Sequence, residues 1–170
     1  SALMRENVEA ADVMLTRLSE LLRLKLDRAV VQEEPLRDEV QYVRRYLEIQ
    51  EVRFGERLTV TVDVPAETLS IAVPALALQP LVENALRHGV ERKSGPCALA
   101  MGARRTPSSL VVEIKHEGPG PPADVREGTG LDATRLRLGH LYGDRASLTL
   151  ESRQPAGAIA RLTVPARDLS

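Results

Sequence analysis

QPLVENALRHGV, residues 79–90, is the stretch whose reading decides the fold. Leu78, Leu81, Val82, Ala85 and Leu86 recur at three- and four-residue steps, which predicts a helix from about Ala75 to His88 with Gly89 placed to close it. At 100° per residue Asn84 and His88 fall one turn apart on one flank, while Glu83 and Arg87 share the outer flank. Two glycine clusters follow, HEGPG at 116–120 and GTGL at 128–131. Glycines at Gly118, Gly120, Gly128 and Gly130 let backbone N–H groups approach a phosphate chain, and an Asn carboxamide is a hard oxygen ligand for magnesium. Helix and loops together read as a site for the triphosphate and Mg of ATP.

The rest of the composition narrows the partners. With 23 basic and 24 acidic residues mixed along 170 positions, the net charge of −1 gives no electrostatic case for nucleic acid or an anionic membrane surface. Cys97 is the only cysteine, so an internal disulfide is excluded; in CALAMGA it reads as a small buried strand residue, in a reducing setting. No apolar run approaches the roughly 18 residues that span a bilayer, and there is no signal-peptide pattern. The chain starts without Met inside a helical pattern, and is expected to be part of a longer protein.

Upstream, Ala11, Leu15, Leu18, Leu22 and Leu26 make one apolar stripe over 8–26, a helix that needs a partner. After a break at 27–34, Pro35 suits a first helical position, and Leu36, Val40, Val43, Leu47 and Phe54 line one side of a second helix that Gly55 ends. RLTVTVDV at 57–64 alternates as a strand stopped by Pro65. Strands near 97–104 and 109–115 flank the turn RTPSS, TRLRLGHLYG carries a short helix, and ASLTLES and AIARLTVP form a hairpin around QPAG. Helices gathered on mixed strands, without strict βαβ alternation, predict a two-layer α/β sandwich with an N-terminal helical segment.

These motifs, in their order and spacing, resemble the sensor histidine kinases named after the autolysis sensor, in which QPLVENAxKHG precedes DNGPG and GxGLxNxxxRL. RLSELLRLKL at 17–26 and PLRDEVQYVRRYLEIQEVRFGERL at 35–58 resemble the segment before their ATP domain. The resemblance implies a Bergerat-type ATP-binding fold over 31–170, including the leading helix 35–54, and a remnant of a dimerising helical hairpin over 1–30. Ser1 to Arg5 would be the last turn of the hairpin's first arm. It also implies that Asn84 holds magnesium and that Arg87, His88, His116, Gly118, Gly120, Gly128, Gly130 and Leu131 bind the nucleotide, with Glu83 as candidate catalytic residue. Bland readings stand beside two of these: Glu83 and Arg87 as a surface i,i+4 pair, and His88 as a complement to the negative end of the helix dipole. The implied reaction moves the γ-phosphoryl group to a His upstream of this chain, so the fragment is not expected to label itself, and thence to a response regulator. A homodimer and a cytoplasmic place beneath an upstream membrane sensor follow from the same resemblance.

Three departures qualify the match: the family has Asp, Asn and Asn where this chain has His116, Glu117 and Ala133. A carboxylate accepts a hydrogen bond from the adenine amino group; neutral imidazole offers a single acceptor and imidazolium none. PPADVRE, between the glycine clusters, is a lid too short to fold far over a nucleotide. Pro80 stands where gyrase-like and chaperone-like relatives carry the Glu that activates water, which disfavours ATP hydrolysis. The alternative to a kinase is a degenerate, non-catalytic module acting in relay or dimerisation.

Overall fold

Leu58–Asp63, Cys97–Arg105, Ser109–His116, Ser147–Ser152 and Ala158–Pro165 form one five-stranded sheet in the computed structural model, which describes residues 2–120 and 129–169. Numbered with two short strands, Glu33–Pro35 (β1) and Ala72–Pro74 (β3), they are β2, β4, β5, β6 and β7. The order is β2-β4-β5-β7-β6; β2 runs parallel to β4 and the other pairs are antiparallel. Leu99, Met101, Leu110, Val112, Ile114, Ala160, Leu162 and Val164 alternate onto one buried face. Glu113, Lys115 and Arg161 occupy the other, where Arg161 pairs with Glu113.

Helices α1 (Ala2–Arg28), α2 (Leu36–Phe54), α3 (Leu78–Ala85) and α4 (Thr129–Tyr142) complete the architecture. Leu36, Val40, Val43 and Leu47 of α2, the apolar face of α3, and Leu131 and Leu138 of α4 share one core with the buried sheet face. This is the expected two-layer α/β sandwich. Cys97 is buried in β4, and the β6–β7 hairpin forms as read.

Several boundaries differ. α1 runs unbroken over Ala2–Arg28, so residues 2–5 belong to the same helix as the apolar stripe and no turn separates them from it. Pro35 ends β1 and sits just before α2, not inside it, and Phe54 is only half-buried. Two faces of α1 are apolar: Leu21, Met14 and Leu24 pack on Tyr42 and Ile49 of α2, while Leu15, Leu18, Leu22 and Leu26 of the expected stripe are exposed.

Candidate functional site

α3 begins later than its periodicity predicts. Leu76 takes a left-handed φ of 60°, so the chain turns sharply after β3 and the helix starts at Leu78. A buried carboxylate fixes this turn: Glu39 of α2 accepts hydrogen bonds from the backbone N–H of Leu76 at 2.6 Å and of Leu78 at 2.8 Å. Leu78 N–H is an otherwise orphaned donor of the helix start, and Leu76 N–H belongs to the turn before it. On α4, Arg137 donates to the carbonyls of Ala75 and, at 2.8 Å, Gln32.

The far end of α3 widens into a π-helical turn, Leu86–Val90, closed by Glu91 N–H to Leu86 C=O at 2.9 Å. Arg57 holds it from outside, donating to the carbonyls of Val90 at 3.0 Å and Lys93 at 2.8 Å. Gly89 does not close the helix as the sequence reading expected, because the π-helical backbone continues through it to Val90. Its glycine is required by packing: a Cβ on Gly89 would stand 2.6 Å from Cγ of His116.

His116 ends β5 with its side chain 2% exposed. Burial, then the charge of Arg153 and the nearby His88, pull its pKa down from 6.5 to about 4, so the imidazole is neutral at pH 7. His88 is also buried, and burial with Arg92 and Arg87 lowers its pKa. That disfavours the reading of His88 as a charged complement to the helix dipole, which requires imidazolium. Nδ1 of both histidines is buried without a hydrogen-bond partner among the described residues.

Both glycine loops reach α3. Gly118 lies against Gly89, where a Cβ would come within 2.5 Å of the Gly89 Cα, and Gly120 lies near the Gly157 carbonyl of the β6–β7 turn. At the other end Gly130, in the first turn of α4, faces Pro80, with 3.7 Å between the Pro80 Cβ and a Cβ built on Gly130. Pro80 and Gly89 are roughly 14 Å apart along a helical rise of 1.5 Å per residue. Asn84 sits between them, half-buried. Gly128 and the PPADVRE segment lie outside the described residues.

The other site candidates are distributed less evenly. Leu131 is buried in the main core, where its side chain anchors α4. Ala133 is exposed on α4. Glu83 is half-buried and receives Gln79 Nε2 at 2.6 Å, and among the described residues it forms no ion pair with Arg87, which is exposed; the surface-pair reading is replaced by a Gln79–Glu83 bond. Gln79 in turn accepts from Tyr42 Oη at 3.1 Å. Glu39, Arg57 and Arg137 are the supporting residues that periodicity alone does not reveal. For Glu39 there was a signal, since Leu36, Glu39, Val40 and Val43 share one helical face, and an acid on an apolar stripe needs a partner.

A histidine kinase family model matches residues 1–58, the span of α1, β1 and α2. Sensor histidine kinase YesM of Bacillus subtilis is 32% identical over 86% of this chain and 26% of YesM, and sensor protein LytS of Enterococcus faecalis is 31% identical over 97% of this chain and 30% of LytS. This chain is a homologue of the LytS-type sensor histidine kinases. It spans less than a third of the length of these relatives. In three dimensions it is similar to the catalytic domain of histidine kinase ThkA, with a TM-score of 0.62 and 14% identity over 81% of this chain and 97% of that one. The same kinase solved in complex with response regulator protein TrrA gives 0.59 and 16%, over 96% and 52%. At such identity the likeness establishes the fold alone, that of histidine kinase catalytic domains.

Proposed function

We propose that this chain is the ATP-binding catalytic domain of a two-component sensor histidine kinase, moving the γ-phosphoryl group of Mg-ATP to a His outside the chain and thence to an Asp of a response regulator. The observation that carries the reading is the convergence of Gly118 and Gly130 on opposite ends of α3, with Asn84 between them. At Gly118 a Cβ would collide with the Gly89 backbone, while at Gly130 a Cβ would make only ordinary contact with Pro80; loops of this kind let backbone N–H groups approach a phosphate chain.

The residues fit magnesium nucleotide at the phosphate end. Asn84 offers a carboxamide oxygen, and no group of three or more His, Cys, Asp or Glu among the described residues could hold a metal ion, so a cation would take its remaining ligands from phosphate and water. Bound Mg-ATP supplies the transferable phosphoryl group and the charge that neutralises its oxygens. In this reading the exposed Arg87 and the buried His88, both in the π-turn that follows α3, meet the phosphates. Pro80 provides no base for water, so the domain holds the nucleotide for a protein nucleophile. Glu83, fixed by Gln79, is the carboxylate nearest in sequence to Asn84 and the candidate to orient that nucleophile.

Domain limits of 1–30 for the hairpin remnant and 31–170 for the catalytic domain go with this reading. The bare stripe Leu15, Leu18, Leu22 and Leu26 supports a homodimer. Among the described residues no helix is long and apolar enough to cross a membrane. A cytoplasmic place, with any membrane attachment upstream, is part of the proposal.

One observation favours the degenerate module as second reading. At the adenine end the fit is poorer, since the neutral His116 is packed into Gly89 and offers no carboxylate. Calorimetry with Mg-ADP separates the two readings. The kinase reading expects binding that falls when magnesium is chelated and in Asn84→Ala, with an unchanged melting temperature. An Asn84→Ala protein that binds Mg-ADP like the parent would overturn the magnesium assignment, and a parent that binds no nucleotide would leave the degenerate module.

A further inference from the structure

Arg28, in the last turn of α1, reaches three groups at once. It pairs with Glu34 of β1, donating from Nε at 2.8 Å, pairs with Glu39 of α2, and stacks its guanidinium 4.9 Å from the centre of the Tyr42 ring. Two of these groups continue into α3. Glu39, wholly buried, carries the N–H groups of Leu76 and Leu78, and Tyr42 donates to Gln79, which donates to Glu83. Glu39 is thus charge-paired from one side by α1 and hydrogen-bonded on the other by the start of the helix that bears Asn84.

A buried carboxylate that loses its cation is left with a large desolvation cost, and burial already pushes the Glu39 carboxyl up against the pull of Leu78, Leu76 and Arg28. The turn it holds includes the left-handed Leu76, a conformation that persists only where its surroundings over-determine it. The remaining attachment of α1 to the body is Leu21, its one buried apolar side chain among those described, with the half-buried Met14 and Leu24 beside it. A shift or rotation of α1 therefore bears on the start of α3 through Arg28, beside the apolar cluster of Leu21 that Leu76 joins.

We propose that Arg28 is a positioning residue through which α1 sets the start of α3, and with it Asn84 and Glu83, so that the arrangement of the helical segment regulates the nucleotide site. The regulatory role rests on the proposed function, whereas the mechanical coupling does not. Three proteins are compared, the parent, Arg28→Met and Arg28→Lys, the last retaining a cation for Glu39 and keeping the comparison available should Arg28→Met not fold. Two readouts are taken: amide NMR spectra without nucleotide, and calorimetric titration with Mg-ADP and with ADP in EDTA.

Coupling expects the amide signals of Leu78 to His88 and the Asn84 side-chain amide to move in Arg28→Met, and to move less in Arg28→Lys. It also expects Mg-ADP affinity to fall roughly tenfold in Arg28→Met, with partial recovery in Arg28→Lys, the scale of coupling mutations remote from a ligand. ADP binding in EDTA should change little, a selectivity that a merely loosened fold would not give. Unmoved α3 signals in folded Arg28 variants overturn the coupling whether or not nucleotide binds. Moved signals with unchanged Mg-ADP affinity overturn the regulatory role. A parent that binds no Mg-ADP refutes the proposed function and the regulatory role together, with the spectra still deciding the coupling.

Discussion

His116 packs its imidazole directly on the Cα of Gly89, so the last residue of β5 and the π-turn of α3 meet where no side chain fits between them. The contact makes the two positions interdependent. Gly89→Ala should lower stability by about 1–3 kcal/mol, the scale of overpacking in a closed site. Gly89→Ala combined with His116→Ala should lose less than the two single changes added, because removing the ring vacates the space the methyl needs. Urea unfolding of the four proteins checks this; strict additivity would refute the steric account.

Acid should weaken the fold through the same residue. The His116 pKa stands near 4 in the folded chain against 6.5 when exposed, so between these values the unfolded state binds the extra proton. Stability is therefore full above about pH 6.5 and declines as the pH falls toward 4, by an amount on the order of 3 kcal/mol. His88, shifted in the same direction by burial, adds to the loss. Denaturant midpoints taken from pH 7.5 to 4.5 should slope more steeply in the parent than in His116→Asn. Equal slopes would show that His116 is not buried neutral.

His116→Asp should improve adenine recognition. The new carboxylate can accept from the adenine amino group, and a charge-assisted hydrogen bond of about 1.5–3 kcal/mol corresponds to roughly ten- to a hundredfold in affinity. Arg153, which lowers the His116 pKa by its charge, would favour an anion there. ADP binding should gain more than binding of inosine diphosphate, which lacks the amino group. An equal gain for both nucleotides, or none, would mean that the pocket differs from the family's beyond this residue.

The exposed stripe of α1 gives a prediction about assembly. Leu15→Lys with Leu22→Lys should abolish concentration-dependent self-association in sedimentation while leaving the melting temperature of the monomer within about 1 °C, since both side chains are exposed and outside the cluster around Leu21. Self-association that survives both lysines would place the dimer contact elsewhere.

The sandwich, α2, the long sheet strands and the Asn84 helix are legible from periodicity because each buries one face over several turns or residues. β1 and β3 are not, since three residues carry no period and these strands exist through pairing with each other. The start of α3 is misread for a related reason: Ala75 and Leu78 continue the apolar pattern, and the turn at Leu76 is imposed by Glu39 from another helix. Gly89 has the sequence position of a helix stop, but its lack of a side chain answers to His116, far along the chain. Within the site, the residue types were readable from the motif. Burial of His88 and His116, which lowers the pKa of both, could be learned only from what packs around them.

The parallel pairing of β2 with β4 carries a kinetic consequence. Leu58 lies opposite Cys97, and the whole of α3 belongs to the connection between them. Two parallel strands cannot be joined by a tight turn, and closing so long a loop precedes any reward from the pairing. The Asn84 helix is therefore seated only when this non-local contact forms, a slow class of folding event. Nucleotide-binding competence should accordingly emerge late and all at once during refolding, in step with closure of the sheet rather than with the first appearance of helix.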